Sequence, residues 1–141
     1  MESLLFQSQE NYCSQIQAET IPSLLIVDDE PLMCWSLEHA FKKTGFQVVC
    51  VDSGNRAIEQ LLFSHIDILI TDIKLPNEDG FQVAAAARRI SPEIPVILIS
   101  AFGDTQTRAK ATSAGIKYFF DKPFDLNRII LTVQEILKQQ E

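Results

Sequence analysis

Short apolar runs alternate with longer amphipathic segments along most of this chain, and this alternation constrains the fold more than any other feature. The apolar runs lie at residues 24–27, 46–51, 68–70, 96–99 and 118–120. Nearly continuous apolar runs of this length are typical of parallel strands that are covered on both faces. The sequence therefore predicts an α/β fold with a five-stranded parallel sheet, doubly wound, with helices on both faces and right-handed crossovers.

The segments between and after the runs have the length and, mostly, the apolar period of helices. They are predicted at residues 31–44, 55–64, 81–90, 104–113 and 125–138. Pro31 suits a first helical turn, and Asp125 can cap the last helix. The segment at 104–113 holds only small or polar residues, so we expect this helix to bury little apolar area and to be the least stable of the five.

The length of 141 residues suits one domain. Residues 1–22 are polar and show no clean helical or strand period, so they are expected to form a poorly ordered leader. The apolar pattern begins at Ser23. A domain of this size can bury a core large enough to fold without disulfides or metals as staples.

Charge, cysteines and the N-terminus exclude several classes of protein. A formal net charge of −7, without clustered basic residues, argues against nucleic-acid binding by this domain. No apolar run approaches the roughly 18 residues of a membrane span, and no secretory signal is present, so no membrane contact is expected. Cys13, Cys34 and Cys50 are odd in number and widely spaced, which predicts reduced thiols in a cytoplasmic protein rather than disulfides.

Polar residues with complementary chemistry follow the predicted strands. Asp28 and Asp29 follow the first strand, Asp72 the third and Ser100 the fourth, and Lys122 lies just beyond the fifth. Ligands of an open parallel sheet bind outside the carboxyl ends of its strands. These five side chains are therefore expected to converge at one edge of the sheet, although they are far apart in the sequence.

The chemistry of this set points to phosphoryl transfer. Converging carboxylates repel one another, and a divalent cation would compensate their charge. Oxygen ligands without His or Cys favour Mg²⁺, which keeps waters and shares phosphate oxygens. With a metal, Lys122 and the Ser100 hydroxyl nearby, Asp72 can act as a nucleophile. Each residue alone also suits a helix cap or a turn, and only their coincidence at one edge favours a site.

The chain contains four motifs, LLIVDDEP, DILITDIKLPNEDG, PVILISAFGD and YFFDKPF. In the order and spacing of these motifs, the chain resembles the receiver domain of two-component response regulators. The resemblance covers residues 23–139 and implies that a sensor histidine kinase phosphorylates Asp72. It implies that Asp29 and Asp72 ligate Mg²⁺ directly, and that Asp28 does so through water. The backbone carbonyl of Lys74 would be a further metal ligand.

The resemblance also implies a switch. Lys122 would pair with the phosphoryl group, Ser100 would be the switch hydroxyl and Phe119 the switch aromatic. Because Phe119 lacks a hydroxyl, its motion is expected to depend on packing alone. The switch would act on the surface of the fourth helix, fifth strand and fifth helix, which would control an output domain or protein. Gly80 would adopt a backbone conformation that other residues resist.

Such a domain is not an enzyme for outside substrates, because it catalyses only its own phosphorylation and dephosphorylation. The resemblance implies that Lys74 and Phe102 flank the mouth of the pocket, and we expect them to slow hydrolysis by hindering an attacking water. The cognate kinase, the output and a homodimer formed on phosphorylation are left open by the sequence.

Three alternatives share parts of this pattern. A phosphatase of the haloacid-dehalogenase type needs a second Asp two residues after the nucleophile, where this chain has Lys74. A flavodoxin-like carrier needs a hydroxyl-rich phosphate loop after the first strand, and Asp28, Asp29 and Glu30 would repel its phosphate. A pseudo-receiver, which is a pure interaction module, usually lacks a pocket acid or the lysine. Uptake of a small phosphodonor that depends on Mg²⁺ would separate these alternatives.

Overall fold

The computed structural model describes residues 20–101 and 103–140, and within them five strands alternate with five helices. The strands are β1 (Ser23–Val27), β2 (Gln47–Val51), β3 (Ile68–Asp72), β4 (Val96–Ser100) and β5 (Tyr118–Asp121). The helices are α1 (Pro31–Lys43), α2 (Gly54–Phe63), α3 (Gly80–Ile90), α4 (Thr105–Ser113) and α5 (Leu126–Gln139). Every predicted element is confirmed, with ends shifted by a residue or two. Among the described helices, none is both long and apolar enough to cross a membrane.

The strands form one parallel sheet in the order β2-β1-β3-β4-β5. The chain winds outward from β1 to β2, then crosses to β3 on the other side of β1, so the strand order reverses between β1 and β3. Open α/β sheets place their ligand sites at such a reversal. Val27 pairs with Thr71 across these two strands, and therefore Asp28, which follows β1, and Asp72, the last residue of β3, lie side by side.

Two apolar cores cover the two faces of the sheet, as the predicted doubly wound architecture requires. Alternate strand residues point to opposite faces: Leu25 and Val27 contribute to one core, and Leu24 and Ile26 to the other. Helices α2, α3 and α4 cover the first face, whereas α1 and α5 cover the second. The central strands are buried on both sides, which explains why their sequences are continuous apolar runs.

Helix α4 is attached to the sheet by little apolar area. Ala111 is the one buried residue of this helix, which confirms that the helix buries little apolar area. The expectation that it is the least stable of the five helices stays a prediction. Its start is fixed by Asp104, whose carboxylate accepts a hydrogen bond from the backbone N–H of Thr107 at 2.7 Å. Apolar burial therefore contributes little to holding α4 against the sheet.

The predicted helix ends are confirmed at two positions, and one glycine behaves differently from the expectation. Pro31 occupies the first turn of α1, and the Asp125 carboxylate accepts a hydrogen bond from the N–H of Asn127.

The expectation for Gly80 was wrong, because its φ angle is not positive. A glycine is required there for a different reason: a Cβ atom would overlap the backbone carbonyl oxygen of Asp72.

The expectation of reduced thiols was wrong for two of the three cysteines. Cys34 on α1 and Cys50 on β2 form a disulfide, with Cα atoms 5.9 Å apart. Their separation of 16 residues gives no hint of this pairing, since it arises only when α1 folds back against β2. Cys13 and most of the expected leader at 1–22 lie outside the described residues.

Candidate functional site

Three aspartates meet where β1 and β3 end. Asp28 and Asp72 are 2% and 7% exposed, whereas Asp29 is open to solvent. One carboxylate oxygen from each of the three lies within 4.8 Å of the others. The predicted convergence of these acids is therefore present, and it follows from the shared register of the two strands.

Lys122 follows the edge strand β5, and its side chain reaches the cluster of aspartates. Its Nζ lies 3.0 Å from Asp28 Oδ2 and 2.9 Å from Asp72 Oδ2. Its backbone N–H donates to the carbonyl of Ser100 at 2.7 Å, and a cis peptide bond joins it to Pro123. One ammonium group thus bridges two nearly buried carboxylates that come from different strands.

Glu30 is a neighbour of the site that the sequence analysis did not count among the site residues. Its Oε2 lies 3.5 Å from Lys122 Nζ, and its backbone N–H donates to Asp28 Oδ1 at 2.9 Å. The uninterrupted acidic run Asp28, Asp29 and Glu30 was the available signal. This hydrogen bond fixes Asp28 at the start of α1, although Asp28 is not the residue at the N-cap.

The electrostatics of the pocket are dominated by burial and by the single lysine. Burial raises the pKa of Asp28, and hydrogen bonds from Glu30 and Lys122 oppose that rise only in part. Burial alone would lower the pKa of Lys122, but its hydrogen bonds to Asp72 and Asp28 outweigh burial and hold the pKa above its usual range. Lys122 is therefore a permanent cation at neutral pH, surrounded by more acids than it can neutralise.

The residues present fit a hard divalent cation. The donor set consists of carboxylate oxygens, two of them on nearly buried residues and one, on Asp29, facing solvent. Carboxylates with open space for water are what Mg²⁺ prefers, since it keeps part of its hydration shell. The predicted contribution of the Lys74 backbone carbonyl stays a prediction.

The loop after Asp72 is held in place by backbone hydrogen bonds. The N–H of Lys74 donates to Asp72 Oδ1 at 3.2 Å, and the N–H of Gly80 donates to the carbonyl of Ile73 at 2.8 Å. Lys74 also forms an isolated β-bridge with Asp79. The loop therefore folds back toward the end of β3 and fixes the orientation of the Asp72 carboxylate.

A cleft of about 390 Å³ opens beside the acids. It is lined by the following residues of the site and of the start of α4: Asp29, Asp72, Ile73, Lys74, Ser100, Ala101, Asp104 and Thr107. Ser100 is 6% exposed, and its position at the end of β4 places it in the same cleft as Asp72. Four predicted site residues thus share one cavity. Phe102, expected at its mouth, lies outside the described residues.

Phe119 lies on β5, one strand away from the cleft, and is half-buried. The guanidinium carbon of Arg108 on α4 sits 4.6 Å from the centre of its ring. A cation–π contact is thus added to the packing around Phe119. The expectation that packing alone governs the motion of Phe119 stays a prediction. The polar sequence of α4 gave no signal that one of its charged residues would face an aromatic ring.

Comparison with known proteins gives the same family by sequence and by structure. The profile of the family described as response regulator receiver domain matches residues 24–134. Regulatory protein AtoC of Escherichia coli strain K12 is 34% identical over 120 residues, which are 85% of this chain and 26% of AtoC. The DNA-binding transcriptional regulator NtrC of Klebsiella pneumoniae is 28% identical over 116 residues, or 82% of this chain and 25% of NtrC.

A solved structure agrees with these relatives. The crystal structure of a response regulator receiver protein from Sinorhizobium medicae superimposes with a TM-score of 0.77 at 32% identity, covering 86% of this chain and 98% of that one. The chain spans about a quarter of the length of AtoC and NtrC, but nearly the whole of this receiver. The chain therefore belongs to the response regulator receiver domain family of two-component signal transduction.

Proposed function

We propose that this domain is a phosphoacceptor, that Asp72 takes the phosphoryl group, and that the reaction depends on Mg²⁺. The observation that carries the proposal is the bridge from Lys122 Nζ to Asp28 and Asp72 at the reversal of strand order. A nearly buried cation beside a carboxylate, with two further acids within reach, is an arrangement that suits a transferring phosphoryl group.

In the proposed reaction an oxygen of Asp72 attacks phosphorus, and the bond from phosphorus to the leaving group breaks. The donor is a phosphohistidine of a sensor histidine kinase or a small acyl phosphate. Lys122 stabilises negative charge on the phosphoryl oxygens, and the Ser100 hydroxyl donates a hydrogen bond to one of them. Asp29, Asp72 and the Lys74 carbonyl would hold a Mg²⁺ ion, with Asp28 helping through water. The ion would supply further stabilisation of the charge on the phosphoryl oxygens.

The consequence of phosphorylation is proposed to be a change at the surface formed by α4, β5 and α5. Ser100 can bond to the phosphoryl group only when the group is present, so phosphorylation favours one of two pre-existing arrangements. Phe119 then adjusts beside it, and an output domain or protein reads the altered surface. NtrC is named a DNA-binding transcriptional regulator, and a transcriptional output is one that this domain could serve.

The domain is proposed to comprise residues 23–139 and to remove its own phosphoryl group by hydrolysis. It is proposed to act in the cytoplasm because it belongs to the receiver family; the Cys34–Cys50 disulfide removes the support that the cysteines gave to this location. A phosphatase of the haloacid-dehalogenase type needs a second acid two residues after the nucleophile. This chain has Lys74 at that position. The acids after β1 disfavour a flavin phosphate at that position. Both features support a switch rather than an enzyme for outside substrates.

The test compares phosphorylation of the wild type, Asp72→Asn and Asp52→Asn by acetyl phosphate. Asp52 also follows a strand but lies outside the cluster, exposed and paired with Arg56, so it is a matched control. Wild type and Asp52→Asn should gain one phosphoryl group in Mg²⁺, as seen by intact-protein mass spectrometry, and none after chelation by EDTA. Equal incorporation by Asp72→Asn would refute the assignment.

A further inference from the structure

Arg108 makes two contacts with β5, although its own helix buries almost nothing. Its guanidinium pairs with the carboxylate of Asp121, and its central carbon lies 4.6 Å over the ring of Phe119. Ala111 is the one residue that α4 buries in the core. Among the described contacts, those of Arg108 are therefore a principal attachment of α4 to the strand that carries the switch aromatic.

A third observation concerns the same pair of residues. A Cβ atom on Gly103, in the segment that leads into α4, would overlap the carboxylate of Asp121 and would lie 3.1 Å from Phe119 Cε1. The absence of a side chain at this position leaves space in which both groups pack against the backbone. Phe119 and Asp121 thus contact Arg108 and also lie close to the entry to α4.

The position of Asp121 connects these contacts to the phosphoryl site. Asp121 immediately precedes Lys122, whose Nζ bridges Asp28 and Asp72. Ser100 pairs with Asp121 in the sheet register, and its carbonyl accepts the N–H of Lys122. A group that fixes Asp121 and Phe119 therefore acts on the end of β5 from which the phosphoryl-binding lysine extends.

We propose that Arg108 is a positioning residue that holds Phe119 and Asp121 in the resting arrangement and so restrains the switch in the unphosphorylated domain. This inference rests on the proposed function. Activation would require the guanidinium to release the ring, the carboxylate or both. The restraint combines an arginine on α4, an acid before the lysine and a glycine that admits the acid.

The restraint is modest in strength. The side chains of Arg108 and Asp121 are 48% and 45% exposed, and solvent screens an ion pair of that exposure. A cation–π contact at the surface contributes a similar small amount. Loss of both contacts should shift the equilibrium between the resting and active forms about three- to tenfold toward the active form. When the active form is the minor one, the apparent affinity for a ligand that binds it should rise by the same factor.

The experiment measures the affinity for beryllofluoride in saturating Mg²⁺, by titration of intrinsic fluorescence, for the wild type and for Arg108→Gln. Beryllofluoride stands in for the phosphoryl group on Asp72. Arg108→Gln should bind about three to ten times more tightly than the wild type. Asp121→Asn should show a smaller increase, because the ion pair is lost and the aromatic contact is kept.

Arg128→Gln is the matched control. Arg128, on α5, lines the same surface depression as Arg108 and Asp121, and its removal changes the charge equally. Its affinity should equal that of the wild type. Equal or weaker binding by Arg108→Gln, with normal binding by the wild type, would overturn the inference and leave the proposed function standing. Failure of the wild type itself to bind beryllofluoride would overturn both.

Discussion

Replacing Lys122 by Met should destabilise the fold and increase its response to Mg²⁺. The substitution preserves most of the aliphatic volume but removes the ammonium group that bridges Asp28 and Asp72. The side chains of Lys122, Asp28 and Asp72 are 14%, 1% and 10% exposed, so the carboxylates that remain cannot turn to bulk water.

The expected loss follows from that burial. Breaking a buried ion pair by removing one partner costs about 3–5 kcal/mol, because the other charge stays buried without compensation. Here the open side of the cluster at Asp29 admits solvent, so we expect a value near the lower end, about 3 kcal/mol. A divalent cation at a hundred times its dissociation constant restores about 2.7 kcal/mol by mass action.

The assay is urea denaturation, with and without Mg²⁺, of the wild type, Lys122→Met and Lys42→Met. Lys42 pairs with Glu38 on the exposed face of α1, and its loss should cost no more than about 1 kcal/mol and should not depend on Mg²⁺. The addition of Asp28→Asn to Lys122→Met should recover part of the lost stability. A free energy of unfolding for Lys122→Met equal to that of the wild type would refute this account of the pocket.

Three further outcomes are expected. Mg²⁺ at millimolar concentration should raise the melting temperature of the wild type, because a cation that binds the acids stabilises the folded state. The rise should be smaller for Asp72→Asn, and scanning calorimetry measures the two melting temperatures. Cys34→Ser should lower the free energy of unfolding by about 3 kcal/mol, which is the value for a disulfide that closes a loop of roughly 15 residues. A reductant should lower the free energy of unfolding of the wild type by the same amount and leave that of Cys34→Ser unchanged. Lys74→Asn should shorten the half-life of the phosphorylated protein several-fold, since an amide can orient the attacking water; an unchanged decay of radiolabelled phosphoprotein would show that Lys74 does not shield the group.

The fold and the convergence of the acids could be predicted because both depend on the pattern of apolar residues along the chain. Continuous apolar runs such as the one ending at Val27 reveal strands buried on both faces, and parallel strands bring their carboxyl ends to one edge. Asp28, Asp72 and Lys122 therefore met as expected without any knowledge of the loops between them. The rule needs only the order of the elements, which the sequence displays clearly.

The features that the sequence did not reveal depend on how separate elements approach one another. Cys34 and Cys50 pair because α1 packs back on β2, and Gly80 is needed because its backbone passes the Asp72 carbonyl. Arg108 looks like an ordinary surface residue of a polar helix, yet it lies over Phe119. Such contacts are set by interatomic distances in the folded chain, for which apolar periodicity carries no information.

Mapping the phosphorylated residue tests most directly whether Asp72 is the phosphoacceptor. The wild-type domain is treated with acetyl phosphate and Mg²⁺, trapped with borohydride, which reduces an aspartyl phosphate to homoserine, and digested for tandem mass spectrometry. We predict homoserine at position 72 and nowhere else, with none formed in the presence of EDTA. Homoserine at another aspartate, or its absence from position 72 in a protein that has taken up phosphate, would contradict this assignment.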